Sequence, residues 1–357
     1  MPQNFLELPG YAPIRPLMLD PDVTEIMING PRKVFAERRG RMELTPFHFD
    51  SERQLNNLIE LIVQPSGRSV DAARPYVDCR LPDGSRVNVI ISPLSVDGPA
   101  VTIRKFTRSL KEVQDLVRVG TLSEPMAELL SAAMRGRLNI IFAGATGTGK
   151  TTTLGIFSTM IPDSERIITI EDTAELHLRQ ANVVTLECRR ASVEGTGEVT
   201  LEHLFKNSLR MRPTRIIVGE IRGGEAVEML QSISSGHEGC LVVLHASTPQ
   251  DAAARLALLV LSRGLHLPLW AVHKQIADAI DLIVQHELLA DGTRKITHIT
   301  EVTGVEDDAV KLRDLFTFEH DGPDETGKVP GRFVASGVEP GFLGKFRKAG
   351  VSFSQSA

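Results

Sequence analysis

The sequence predicts an α/β protein, a mostly parallel sheet covered by helices on both faces, preceded by a smaller α+β domain. Three observations predict it. From about Leu138 onward, short apolar runs alternate with helix-length segments: residues 139–143 (NIIFA), 167–170 (IITI), 216–218 (IIV) and 241–244 (LVVL). A strand buried on both faces has no polar side to show, which is the condition of strands in a parallel sheet. The first hundred residues have another texture, with short β-branched strands punctuated by turn residues. The chain of 357 residues is also long enough for two or three domains at about 150 residues each.

The elements follow in order. Residues 23–28 (VTEIMI) read as a strand, closed by the turn signal Asn29-Gly30-Pro31. Residues 34–37 and 42–44 flank Arg39-Gly40 and read as a hairpin. Asp50 and Ser51 are placed to cap a helix that carries Leu55, Leu58, Ile59 and Ile62 at helical spacing. Short strands follow at 76–81, 86–91 and 101–104, the first two joined by Pro82-Asp83-Gly84. Residues 106–124 are polar and read as a linker with one short helix. After Gly304 the chain turns polar and rich in Gly and Pro, with a strand expected at 309–318 and an end helix at 341–349. The expected organisation is an N-terminal domain over 1–107, a linker over 108–124, the α/β domain over 125–304 and a tail over 305–357.

Composition excludes several classes. Hydrophobic residues at 42% and charged residues at 24% are ordinary for a folded protein, not a disordered or collagenous one. The net charge of −5 gives no broad basic surface for duplex nucleic acid. Cys79, Cys188 and Cys240 lie far apart, so neither a zinc ribbon nor a disulfide framework is expected. The start of the chain lacks a charged segment followed by an apolar stretch, so no targeting segment is expected. The most apolar window, 252–270, is interrupted by Arg255, Arg263, His266 and Pro268; it is expected to be a buried helix rather than a membrane span.

The chemistry concentrates in four places. Gly144-Ala145-Thr146-Gly147-Thr148-Gly149-Lys150-Thr151 fits GxxxxGK[ST] in full, with an apolar strand before it and a helix-compatible run, starting Thr151-Thr152, after it. Such glycines let backbone N–H groups wrap a triphosphate, and the helix N-terminus adds partial positive charge. Lys150 is the residue to reach the β- and γ-phosphates, and the Thr151 hydroxyl the one to ligate Mg²⁺. Residues 215–220 (RIIVGE) form an apolar strand ending in Glu220, with Gly219 where an aspartate would ligate metal; Glu220 is therefore cast as base or water-positioner. Residues 168–175 end a second strand in Glu171, Asp172 and Glu175, suited to Mg²⁺ or water placement, or to a solvated loop. His245 ends a third strand, where it would sense the γ-phosphate or link to Glu220, or serve only structure. Arginines form two pools: Arg74, Arg80, Arg86 and Arg104 on the first domain's strands, and Arg210, Arg212, Arg215 and Arg222 around the Glu220 strand. Either pool could stabilise charge on a transferred phosphoryl group.

Taken together, the runs GATGTGKTTTL, ITIEDTAEL, RPTRIIVGEIRGGEA and SSGHEGCLVVLHAST resemble the Walker A, Asp, Walker B and His boxes of the secretion-ATPase superfamily of type II secretion, type IV pilus and type IV secretion systems. VTEIMINGPRKVFAERRGRMEL, GRSVDAARPYVDCRLPDGSRVN and GPAVTIRKF resemble the CpaF type, the ATPase of tight-adherence (Flp) pilus assembly. The likeness covers residues 20 to 304. The tetracysteine zinc module of other branches is absent from the sequence.

The resemblance implies a RecA-like P-loop ATPase domain with a smaller PAS-like N-terminal domain and ATP between the two. It implies a homo-hexameric ring that binds ATP and Mg²⁺. Residues 144–152 would hold nucleotide. Lys150 and Glu220 would be catalytic, with Glu171 and Glu175 from the Asp box, His245 from the His box, and Arg80, Arg86 and Arg104 turned to the γ-phosphate. The implied role is a motor that powers pilus assembly or retraction, or protein secretion. It would work in the cytoplasm, peripheral at the inner membrane through platform proteins there, with no nucleic acid partner. A RecA-like nucleic-acid translocase and a nucleotide-gated scaffold that does not hydrolyse remain alternatives; the low aromatic content of 5% speaks against the first.

Overall fold

The structure, a computed structural model, describes residues 5–38, 40–105, 110–189, 191, 196–264 and 267–353. It divides into two compact units, residues 1–109 and 110–357.

The first unit contains α1 (Arg15–Leu19), β1 (Val23–Asn29), β2 (Lys33–Arg38), β3 (Arg41–Leu44), α2 (Glu52–Val63), β4 (Tyr76–Arg80), β5 (Arg86–Ile90) and β6 (Ala100–Arg104). Its six strands form one antiparallel sheet in the order β3-β2-β1-β6-β5-β4. Period-two alternation puts Ile26, Ile28, Val87, Val89, Val101 and Ile103 on one face, where they share a core with Leu55, Leu58, Ile59 and Ile62 of α2. Ser51 is the N-cap of α2, its side chain accepting from Gln54 N at 3.3 Å. Arg39, in the expected hairpin turn, lies outside the described residues; β2 and β3 pair on either side of it.

The second unit runs α3 (Val113–Arg118), α4 (Glu124–Arg135), β7 (Ile140–Gly144), α5 (Lys150–Ser158), β8 (Ile167–Glu171), β9 (Val183–Glu187), α6 (Leu201–Ser208), β10 (Arg215–Val218), α7 (Glu225–Ser234), β11 (Leu241–Leu244), α8 (Pro249–Leu261), α9 (Leu269–Ala279), β12 (Leu282–Leu288), β13 (Arg294–Glu306), β14 (Ala309–His320), β15 (Gly331–Ala335) and α10 (Leu343–Lys348). Nine strands form one sheet in the order β15-β14-β13-β12-β7-β11-β10-β8-β9. From β12 to β9 all pairs are parallel; from β12 to β15 all are antiparallel. The central parallel strands β7, β8, β10 and β11 are mostly apolar because both faces are covered. Ile140 and Phe142 of β7 pack with α3, α4, α5 and α10, whereas Ile141 and Ala143 pack with α6 to α9.

Three sequence expectations need correction. Residues 305–357 are not a separate tail, since the boundary at 304 falls inside β13 and the following strands extend the sheet. That extension is hard to see in the sequence because it buries polar groups. Glu301 is 4% exposed, and its carboxylate is satisfied by Arg313 and by Gly341 N. The proposed linker is mostly second-unit structure: α3 buries Val113 and Leu116 in that core, and residues 106–109 lie outside the described set. The window 252–270 is not one buried helix. It holds α8 and the start of α9, separated where Gly264 takes φ 70°, with Leu258 65% and Trp270 59% exposed; His266 lies outside the described residues. Among the described residues, no helix is long and apolar enough to cross a membrane.

Candidate nucleotide site

β7 delivers the chain into the glycine-rich loop. Gly144 has φ 151°, and a Cβ there would stand 2.6 Å from His286 O and 2.7 Å from Thr148 Oγ1. Only glycine lets the loop lie this close to β12. Gly149 has φ 94° in the left-handed region and turns the loop into α5 at Lys150. Lys150 is 5% exposed, and its Nζ donates to Ala145 O at 2.6 Å. The Thr148 hydroxyl donates to the same carbonyl at 2.9 Å. Thr151 is half-buried and Thr152 exposed at the first turn of α5. The positive-φ glycines, the buried lysine and the start of a nine-residue helix are the parts of which a phosphate cradle is made.

Because β7, β8, β10 and β11 are parallel, their C-terminal ends lie along one edge of the sheet, where open α/β sheets bind ligands. Gly219 N donates to Ile170 O and Ile221 N to Val243 O, each at 2.9 Å, so Glu220 sits between two residues anchored to the neighbouring strands. Its carboxylate lies 3.3 Å from His245 Nε2 on one oxygen and 2.8 Å from Arg222 Nη2 on the other. Arg222 also stands 3.7 Å from Asp172. The chain after His245 is held in place: Gln285 Nε2 donates to Ala246 O at 3.2 Å and Ser247 O at 3.1 Å, and Thr248 caps α8.

Glu171 plays a different part. It is 2% exposed, and its carboxylate accepts from Glu175 N at 2.7 Å and Leu176 N at 3.1 Å. A Cβ on Gly219 would stand 2.8 Å from Glu171 Cγ, so that glycine makes room for the side chain. Glu171 thus holds the 172–176 turn in place, with Glu175 half-buried in that turn.

Burial works to raise the Glu220 carboxyl, but the Arg222 hydrogen bond and charge outweigh it, with help from His245 and Lys150. The net effect is a pKa below the usual glutamate value. Burial and then Lys150 push His245 down against the pull of Glu220. A neutral imidazole that contacts a carboxylate through Nε2 carries its proton there, so His245 donates to an ionised Glu220.

The first unit carries its own cluster. Arg80 is registered opposite Arg86, Arg86 opposite Arg104, and Arg104 opposite Glu25, one row across β4, β5, β6 and β1 on the face away from α2. Arg104 Nε lies 3.7 Å from Glu25. Arginines registered along one row are the residue type that binds an anion together. Arg74 lies in the 71–74 bridge before β4, outside this row.

The profile of the type II/IV secretion system protein family matches residues 7–316. The chain belongs to that family. Within it, the chain is 30% identical over 331 residues to a putative conjugal transfer protein of Mycobacterium tuberculosis, covering 87% of this chain and 94% of that one. It is 32% identical over 319 residues to the type IV secretion system protein VirB11 of Brucella suis, covering 81% and 88%. Among solved structures, the ATPase DotB of Yersinia pseudotuberculosis superposes with a TM-score of 0.60 at 17% identity, over 84% of this chain and 80% of that one. This last likeness concerns the fold alone.

Within this secretion-family chain, the structure brings Lys150, Glu220, His245 and Arg222 to one sheet edge. Arg215 of the same arginine pool is elsewhere. It is 1% exposed at the opposite end of β10, paired with Glu165 at 3.0 Å and bonded to Met134 O at 2.7 Å, a brace for the core. Three residues around the loop escaped the sequence reading. Gln285 holds the carbonyls of Ala246 and Ser247 after His245, His286 backs β7, and Arg294 Nε donates to Gly147 O at 2.7 Å. The adjacent polar pair Gln285-His286 inside the apolar run LIVQHEL was the available signal for the first two. Arg294 gives no such signal.

Proposed function

We propose that the chain is an ATP-hydrolysing motor of a secretion or pilus-assembly machine, of the CpaF type within its family. The observation that carries this reading is Glu220, held between His245 and Arg222 on the sheet edge that also bears the Lys150 loop. Mg²⁺-ATP supplies the phosphoanhydride to be split. Loop residues 144–149 bind its phosphates through backbone N–H groups, and Lys150 neutralises the β- and γ-phosphate charge. Thr151 would hold Mg²⁺ through its hydroxyl. Glu220 orients the attacking water and receives its proton, His245 keeps that carboxylate in register, and Glu171 with Glu175 shapes the turn beside it. The Arg80–Arg86–Arg104 row supplies positive charge to the γ-phosphate. We further propose a homo-hexamer that works on the cytoplasmic side of the inner membrane, docked through platform proteins.

In this scheme Glu220→Gln keeps nucleotide binding and lowers turnover by roughly 10²- to 10⁴-fold, the usual scale for losing a general base. Steady-state phosphate release and equilibrium binding of a fluorescent ATP analogue measure the two quantities. A mutant that turns over at the wild-type rate removes Glu220 from the mechanism. A wild-type chain that binds ATP and releases no phosphate removes the motor itself.

A further inference from the structure

A phosphate loop works by turning its amide N–H groups inward, which leaves carbonyls pointing outward. Gly147 (φ 79°) and Gly149 (φ 94°) flank Thr148, and peptides next to glycine rotate at little cost. Such a loop needs something outside it to fix the direction of its peptide planes. Arg294 is in place to do this. Its Nε donates to Gly147 O at 2.7 Å, and its Cδ would lie 3.5 Å from a Cβ on Gly149. The carbonyl it holds belongs to the peptide whose N–H is that of Thr148. A charged donor on that oxygen fixes the plane and polarises the N–H on its other side, making it a stronger donor.

Arg294 is itself held. It is the first residue of β13, registered opposite Leu288 at the mouth of the β12–β13 hairpin. Asp291 in the hairpin turn accepts from Thr293 N at 2.9 Å and from the Thr293 hydroxyl at 2.7 Å. Its other oxygen accepts from Val329 N at 3.0 Å, in the connection between β14 and β15. The guanidinium is thus mounted on a turn tied to the antiparallel extension of the sheet.

We propose that Arg294 is a positioning residue for the phosphate loop, clamping the Gly147 carbonyl outward so that the loop amides are set for phosphate before nucleotide arrives. This rests on the nucleotide reading above. The clamp touches the loop that grips both ATP and ADP, so it acts on affinity and not on the chemical step.

The test compares Arg294→Met with wild type in the full-length chain. Fluorescent ATP and ADP analogues should both bind roughly tenfold more weakly, the scale of one charge-assisted hydrogen bond. KM should rise in step while kcat stays within about twofold. In nucleotide-free protein, amide exchange of residues 144–150 should speed up, with the exchange of the β10 and β11 amides unchanged. If Arg294→Met does not fold, Arg294→Lys is read instead: it keeps the charge without the rigid fork and should show a smaller shift in the same direction on both measures. Unchanged loop exchange together with unchanged affinity in the folded variant overturns the proposal, as does a loss confined to kcat. The exchange measurement uses no nucleotide, so it decides on Arg294 even if the wild-type chain binds none.

Discussion

His286 shows at the residue scale how the loop is supported from within. It is fully buried on β12, and its Nδ1 lies 3.3 Å from Ala143 O and 3.2 Å from Val284 O, so that nitrogen carries the proton and donates. Burial pushes its pKa down to about 4, against the two carbonyls that favour the charged form; Lys150 pushes it further down. The sign of the consequence follows from linkage. A histidine whose folded pKa lies below its unfolded value of 6.5 takes up fewer protons when folded. Its contribution is therefore present above pH 6.5 and lost as pH falls from 6.5 towards 4. Between those limits the loss is about 3 kcal/mol at most. His286→Asn keeps a donor for Ala143 O and cannot titrate. Denaturant melts should show the stability advantage of wild type over this variant shrinking by up to that amount on acidification. A constant difference would mean that His286 stays accessible to protons in the fold. The loop and Glu220 were legible in the sequence because their function is written in local spacing. Gln285, His286 and Arg294 were not, because their partners lie far along the chain and are met only when β12 pairs with β7 and β13 returns past the loop.

Among elements, α10 tests how far the second unit extends. Phe346 is 1% exposed and packs in the same core as α4 and β7. Lys345 pairs with the half-buried Asp281 at 2.9 Å, and Asp281 in turn accepts from Asn139 N at the entrance to β7. Phe346→Ala should cost about 3–5 kcal/mol, the range for a buried ring, and should lower the melting transition of the whole second unit. A loss below about 1 kcal/mol would make α10 an appendage. The strands β7, β8, β10 and β11 were legible because burial on both faces leaves an unbroken apolar run. β9 is half-exposed, and β13 buries Thr297, Thr300 and Glu301, so neither fits a hydrophobic template. Buried polar residues with partners, such as Glu301 with Arg313, become intelligible only once the pairing is known.

For the whole molecule, the proposed roles fall on residues of both units. Lys150 and Glu220 belong to one and the arginine row to the other. If that row meets the γ-phosphate, alanine at one of Arg80, Arg86 or Arg104 should lower turnover by roughly 10³-fold, the scale of arginine assistance in phosphoryl transfer. Binding of ADP, which lacks that phosphate, should stay close to wild type. Wild-type turnover in all three variants would mean that the first unit does not complete the site. The row was only half legible: each arginine could be placed on a strand, but their alignment on a single rung depends on registers that no local pattern specifies.

That rung allows the protein's usefulness and its sturdiness to be measured apart. Arg80, Arg86 and Arg104 stand at successive registered positions, with Glu25 opposite Arg104 at the end of the row. A variant here that is inactive yet melts like wild type would mark the arginines as kept for work rather than for folding.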